Sequence, residues 1–374
     1  MTPYYNRLQF APLNEILSMA SSIRDTHWGR TITYSRKIFV PLTNMCRDTC
    51  SYCTFVKHPS HPAARIMTPE QVLKEAERGQ EKGCKELLFS LGEKPELRYV
   101  EAKNALEFMG YKRMTDYLAD MCELIISETS LLPHVNAGTL SDCEIDKLKP
   151  FSASMGMMLE TISKRLGKKG MPHFACPDKI PLLRERTLRR TGEKKVPFTT
   201  GLLIGIGETW LERIEALQMI NSLNREYGHI QEVIIQNFQR KPGIGMEKHS
   251  EPTLEDMLRT IAVARIILDP EISLQAPPNL NERHIDYLGA GINDWGGISP
   301  VTIDFINPQH DWPEIRKLKE NCAKAEFDLK ERLTVYPRFI KERQTYLDSN
   351  LVKTILAMSR SDGLAFDQTL EAVV

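Results

Sequence analysis

Ile38-Phe39-Val40-Pro41-Leu42, then Cys46-Arg47-Asp48-Thr49-Cys50-Ser51-Tyr52-Cys53, sets a short apolar run directly before three thiols. Thiolates select zinc, cuprous copper or iron–sulfur clusters. A structural zinc site wants four closed ligands, usually from two paired clips, and no second Cys-x2-Cys follows. Cubic iron–sulfur clusters normally take four thiolates. Three of them would leave one iron open to a further ligand. At this level a zinc ion completed by His58 or His61 stays open as an alternative.

Working outward, apolar β-rich runs recur at 37–42, 86–91, 133–138, 152–159, 197–205, 232–238, 272–276 and 296–301. Helix-like segments lie between them at 69–83, 114–128, 142–148, 180–192, 208–227, 253–268, 281–290 and 312–325. Thr68 before Pro69, and Ser141 before 142, read as helix caps. This alternation predicts βαβ units and a parallel sheet. Eight of each predicts an α/β fold of the (β/α)8 TIM type, with chemistry at the C-terminal strand ends. An open six-strand barrel is the alternative, because Gly296 and Gly297 weaken the last run. Residues 1–36 read as a leader with helical spacing from Leu13 to Ile23, residues 37–340 as the barrel, and 341–374 as a C-terminal helical extension.

The whole-chain numbers exclude several classes. Of 374 residues, 41% are hydrophobic and 26% charged, which describes a globule with ample core. Lys plus Arg and Asp plus Glu stand at 49 each, so no net field recruits nucleic acid or an anionic membrane. No apolar run approaches the ~20 residues that span a bilayer, and the first residues lack a signal pattern. Eight cysteines without such a signal point to a reducing, cytoplasmic setting. No period of 20–50 residues repeats, against a solenoid. Gly205-Ile206-Gly207-Glu208 is no dinucleotide fingerprint, since Trp210 stands where the third glycine is needed.

Several strand ends carry polar residues suited to ligands. Gly92 and Glu93 follow the second run, and Glu160 ends the fourth. Amides at Gln236, Asn237, Gln275 and Asn279 both donate and accept, as a neutral heterocycle requires. His134 and Asn136 on the third run, and Asp294 before Trp295, are candidates for proton handling or, for Trp295, stacking on substrate. The remaining cysteines, 84, 122, 143, 176 and 322, read as scattered small hydrophobes.

The Cys-x3-Cys-x2-Cys loop with Tyr52 before its third cysteine resembles the radical S-adenosylmethionine superfamily. Stretches 46–55, 91–96, 150–161, 228–238, 275–280, 294–302 and 331–337 narrow the resemblance, over roughly residues 35–340, to the 7,8-didemethyl-8-hydroxy-5-deazariboflavin synthase family. The resemblance implies one 4Fe–4S cluster on Cys46, Cys50 and Cys53. It also implies S-adenosylmethionine contacts at Tyr52, Gly92, Glu93, Glu160, Gly205 and Gly207. The implied reaction uses a 5′-deoxyadenosyl radical to cyclise a hydroxybenzyl–ribitylaminouracil adduct, releasing ammonia. The implied partners are that small molecule, a sister radical subunit that makes it from tyrosine, and a low-potential electron donor.

Overall fold

In the computed structural model, which describes residues 2–366, nine strands form one parallel sheet. They are β1 Thr31–Pro41, β2 Glu86–Ser90, β3 Leu132–Asn136, β4 Ser154–Gly156, β5 Phe198–Ile204, β6 Ile230–Asn237, β7 Ser273–Gln275, β8 Asp294–Ile298 and β9 Asp328–Arg332. The order β2-β3-β4-β5-β6-β7-β8-β1 is closed by pairing of β1 with β2, from Lys37 opposite Glu86 to Pro41 opposite Ser90. The result is a closed eight-strand (β/α)8 barrel. The open-barrel alternative fails because β8, despite its two glycines, pairs with both β7 and β1.

Helices follow the strands as the apolar spacing predicts, at Pro69–Glu81, Met114–Glu128, Asp142–Leu148, Pro181–Glu193, Trp210–Tyr227, Leu254–Ile267 and Ile315–Lys324. The segment expected as a helix over 281–290 is mostly turns, with a single helical turn at Asp286–Gly289. Thr68 with Gln71, Ser141 with Glu144 and Thr209 with Glu212 form reciprocal capping boxes, each satisfying donors that a helix start leaves orphaned. No helix among the described residues is long and apolar enough to cross a membrane.

Segments on both sides of the expected barrel are built into it. β1 begins at Thr31, so the polar stretch read as leader is half of the first strand. Its polar side chains are satisfied inside: Thr33 donates to Asp294, and Ser35 Oγ donates to Glu86 Oε2 at 2.5 Å. The helix Leu13–Trp28 buries Ile16, Ala20 and Arg24; the Arg24 guanidinium donates to the carbonyls of Leu288 and Ile292 at 2.9 and 2.8 Å. β9 was not foreseen, because Asp-Leu-Lys-Glu-Arg is too charged to read as a strand. It pairs with the first half of β1, where Arg36 and Lys85 sit 3.2 and 2.5 Å from Glu331.

After β9 the chain crosses the base. Leu333, Val335, Tyr336, Phe339, Ile340, Tyr346, Leu351 and Ile355 pack on Leu132 and Ala153, at the N-terminal ends of β3 and β4. The helices Pro337–Lys341, Arg343–Tyr346 and Ser349–Met358 therefore close the barrel from below. Residues 367–374 of the expected extension lie outside the described residues.

Candidate active site

The loop from Leu42 to Met67, between β1 and the helix Pro69–Glu81, carries the three thiols at the barrel mouth. It is pinned shut at its neck: Met67 N–H donates to Leu42 O at 2.8 Å, and Asn44 bonds Ala63 O and Arg65 N at 2.7 and 2.9 Å. Inside the loop the Cys46 sulfur accepts N–H groups from Asp48 and Glu93 at 3.3 and 3.1 Å. Burial pushes the Cys46 thiol up to about 12, so loading a metal there must expel a proton. Gly92 is required by packing: a Cβ there would lie 1.9 Å from Met45 O. Its N–H donates to Thr43 O, and Arg47 N–H to Glu93 O, both at 2.9 Å, which staples the strand-two loop onto the cysteine loop.

Cys46, Cys50 and Cys53 line one cavity of about 250 Å³, together with Tyr52, Gly92, Glu93, Asn136, Glu160, Gln236 and Asn237. Among the described residues, the only three such ligand groups gathered within 4.8 Å are those of Asp48, Glu93 and Asp178. The thiols are thus not collected around a single ion, and neither His58 nor His61 joins such a group among the described residues. That disfavours the zinc alternative. Three separated sulfurs, one supported by two N–H donors, suit a polynuclear cluster.

Two carboxylates flank the cavity and are shifted in opposite directions. Burial lifts the Glu93 carboxyl to about 7, even though Thr139 donates to it through N and Oγ1 at 2.6 and 2.5 Å and Arg184 stands 3.7 Å away. Burial also opposes charge on Glu160, but Lys179 and Arg184 outweigh it and hold that carboxyl well below the usual range. Glu160 takes bonds from Tyr52 and Lys179 and lies 3.2 Å from His173 Nε2. Its φ of +64° is the left-handed conformation, at the point where β4 hands over to a bridge with Leu202 of β5.

Charged partners of these acids come from the loop after β4, His173 to Lys179, which spacing did not flag, and from Arg184 in the first turn of the helix Pro181–Glu193. Asp178 is paired with Arg47, Lys179 with Glu160, and Cys176 takes the Thr49 N–H at 3.3 Å and is hydrogen-bonded to Cys50. Cys176 is therefore no scattered core thiol. No local pattern marks these residues; they matter only because the β4 loop folds over the mouth.

Other expectations shift. Gly205 and Gly207 lie outside the cavity walls; Gly205 faces Pro252, and the Gly207 carbonyl accepts from Arg165 at 2.8 Å. Between them Ile206 joins Leu166, Leu203, Phe238, Ile244 and Met246 in an apolar patch against Tyr52. Asn279 is also outside, tying Asp304 and the His310 carbonyl together at 3.0 and 3.2 Å. Asp294 is fully buried at the base, where it receives Arg332 through Nε and Nη2 at 2.7 and 2.8 Å. It is a structural ion pair, remote from the mouth cavity. Trp295 is core, with its N–H on Cys322 Sγ at 3.3 Å, and stacks on no ligand space. His134 and Gln275 sit deeper, in the barrel shaft.

Residues 40–220 match the model of the radical SAM superfamily. The 7,8-didemethyl-8-hydroxy-5-deazariboflavin synthase of Methanopyrus kandleri is 47% identical over 336 residues, covering 89% of this chain and 99% of that one. The FO synthase of Streptomyces avermitilis is 45% identical over 372 residues; this chain spans 43% of its length. The FeFe-hydrogenase maturase HydG from Carboxydothermus hydrogenoformans shares the fold, with a TM-score of 0.70 at 18% identity over 89% of this chain and 80% of that one. Methylornithine synthase, PylB, does so at 0.69 and 15%, over 88% and 94%. The superfamily implies an iron–sulfur cluster and S-adenosylmethionine, and the thiol trio with its N–H donors fits such a cluster. The chain belongs to the radical SAM superfamily and, within it, to the 7,8-didemethyl-8-hydroxy-5-deazariboflavin synthase family.

Proposed function

We propose that this protein cyclises a hydroxybenzyl–ribitylaminouracil adduct to 7,8-didemethyl-8-hydroxy-5-deazariboflavin, with release of ammonia, methionine and 5′-deoxyadenosine. The observation that carries the reading is the thiol trio opening on one cavity with Glu93, Glu160 and three strand-end amides. A relative of that name aligning over 99% of its length supports it. Cys46, Cys50 and Cys53 would hold one 4Fe–4S cluster, and with S-adenosylmethionine bound there the site is supplied with a hydrogen-abstracting 5′-deoxyadenosyl radical.

The chain's own residues bind, orient and shield. Glu93, whose backbone is stapled to Cys46, suits the ammonium of the methionine moiety. Glu160, kept ionised by Lys179, suits ribose hydroxyls, with Tyr52 fixed beside it. The apolar patch around Leu203, Ile206 and Phe238 offers the adenine a dry wall, and Gly205 and Gly207 act only by shaping that turn. Asn136, Gln236 and Asn237 face the cavity with amides that match a uracil edge; the Asn237 Oδ1 is buried without a partner. His134 and Asn136 remain the candidates for holding a proton. A sister radical enzyme would supply the adduct and a low-potential donor the electron, in the reducing cytoplasm.

The test is anaerobic: reconstituted protein, dithionite and S-adenosylmethionine, with the preformed adduct in one arm and tyrosine plus 5-amino-6-(D-ribitylamino)uracil in the other. Deazaflavin fluorescence with stoichiometric 5′-deoxyadenosine in the first arm is expected. Turnover only in the second arm would assign the sister's coupling reaction instead. Absence of 5′-deoxyadenosine in both would remove the radical chemistry altogether.

A further inference from the structure

Below the mouth, the barrel shaft holds a second cavity of about 110 Å³. Asn136, Met157 and Met158 belong to the walls of both, so the two adjoin. Two glycines make room for the side chains that line the shaft. A Cβ on Gly297 would lie 2.4 Å from Lys37 Cδ and 2.9 Å from its Nζ, and one on Gly156 would lie 2.8 Å from His134 Nε2.

Three of the polar side chains facing this space keep bonding capacity unused, among neighbours such as Glu232 and Arg332 that are paired. Lys37 is 8% exposed, yet no carboxylate comes within 4.0 Å and no hydrogen bond ends on its ammonium among the described residues. Its company is the rings of Trp312 and Phe39, 4.7 and 5.8 Å away. Gln275, 7% exposed, makes no side-chain hydrogen bond among the described residues. His134 spends Nδ1 on Ser154 and Thr334, at 2.7 and 3.2 Å, and leaves Nε2 toward the cavity. Burying a hydrogen-bonding group unpaired is unfavourable, and more so for a charge. A fold keeps such groups together where a ligand satisfies them.

The ligand's character follows from the lining. Lys37 and Arg332 face Glu86 and Glu232, two cations against two anions, so the space favours a neutral guest. An ammonium, a ring nitrogen and an amide around one space call for groups that donate and accept at once, as alcohols do. The shape is a shaft continuing the mouth cavity. We infer that this shaft seats the hydroxylated alkyl chain of the substrate, a neutral open-chain polyol read by Lys37, His134 and Gln275. The identity of that polyol as ribityl rests on the deazariboflavin reading.

The test is calorimetric titration of the reconstituted protein, with S-adenosylmethionine present and oxygen excluded. The probes are the adduct and its analogue with methyl in place of ribityl. The wild type is expected to prefer the ribityl adduct by about 30-fold or more, the worth of two or three hydrogen bonds. Gln275→Leu and Lys37→Met are each expected to cut that preference by about tenfold, with the methyl analogue binding nearly as before. Equal binding of the two probes by the wild type, a comparison that needs no variant to fold, overturns the shaft assignment alone. So does an unchanged preference in both variants. Binding of neither probe overturns the cyclase reading, and this inference with it.

Discussion

The mouth and the base of the barrel use the same residue types to opposite ends. At the base Arg332, Asp294, Glu232 and Tyr336 close on one another, with Arg332 Nη2 3.3 Å and the Tyr336 hydroxyl 2.8 Å from Glu232 Oε1. Every charge there has a partner supplied by a strand, and the helices after β9 lock the arrangement. At the mouth the acids Glu93 and Glu160 are met by Arg184 from the start of a helix and Lys179 from the loop before it, while neighbouring amides face open cavity. An acid in a barrel is thus informative only once its end is known: ion pairs at the N-terminal end hold the fold, and those at the C-terminal end are available for chemistry.

Replacing any one of Cys46, Cys50 or Cys53 with Ala should hit the mouth hardest. The visible absorption of the reconstituted cluster should vanish, and reductive cleavage of S-adenosylmethionine should fall by at least about 100-fold, with little change in the denaturant midpoint of the apoprotein. Asp294→Asn should do the reverse. It leaves the Arg332 guanidinium buried with reduced compensation and should cost about 3–5 kcal/mol in denaturant unfolding, while affinity for S-adenosylmethionine, read by titration of the folded fraction, should stay put. If Asp294→Asn instead spared stability and lowered affinity, the division between the two ends would be wrong.

Glu160→Gln should weaken S-adenosylmethionine by roughly tenfold to a hundredfold, through loss of a charged acceptor. Equilibrium binding would measure it, and an unchanged constant would place the nucleoside elsewhere. Acid should reveal the shaft. Burial lowers His134 to about 4 and His229 to about 3, against an ordinary 6.5. The unfolded chain therefore binds these protons first, so unfolding free energy should fall as pH drops from about 6.5 toward 4, by up to ~1.4 kcal/mol per pH unit per histidine. His134→Gln should make that slope shallower in urea titrations at successive pH. The smallest effect is expected at the joint between shaft and base. There Thr334 Oγ1 meets Ser154 Oγ at 2.9 Å, and Thr334→Val should cost about 1 kcal/mol in the same assay.

Much of the architecture was legible from local pattern. Strand runs such as 86–91 and 197–205 have apolar continuity because both faces of a parallel strand are buried, and Thr68-Pro69 and Ser141 announce helices by satisfying their first N–H groups. What escaped was polar structure inside the barrel. Thr31 to Ser35 and Asp328 to Arg332 read as loop or leader because their hydrogen bonds and ion pairs run to Glu86, Asp294 and Lys85, residues invisible to any short window. Asp294 and Trp295 were misplaced for the same reason: their position before a glycine pair resembled a strand-end motif, whereas they begin β8 at the base.

By itself the chain's order of residues determined the thiol trio, the alternation of strands and helices and the caps that start them. These depend on spacings of two to seven positions, which backbone geometry translates directly into structure. Tertiary closure alone decided which acid is ionised by which cation, as when Arg47 meets Asp178 across 131 residues. It also decided that Lys37 would lie against the rings of Trp312 and Phe39 with no carboxylate within 4.0 Å among the described residues. Charge pairing in a barrel depends on how the strands stagger as the ring closes, and that stagger is a property of the whole ring rather than of any segment.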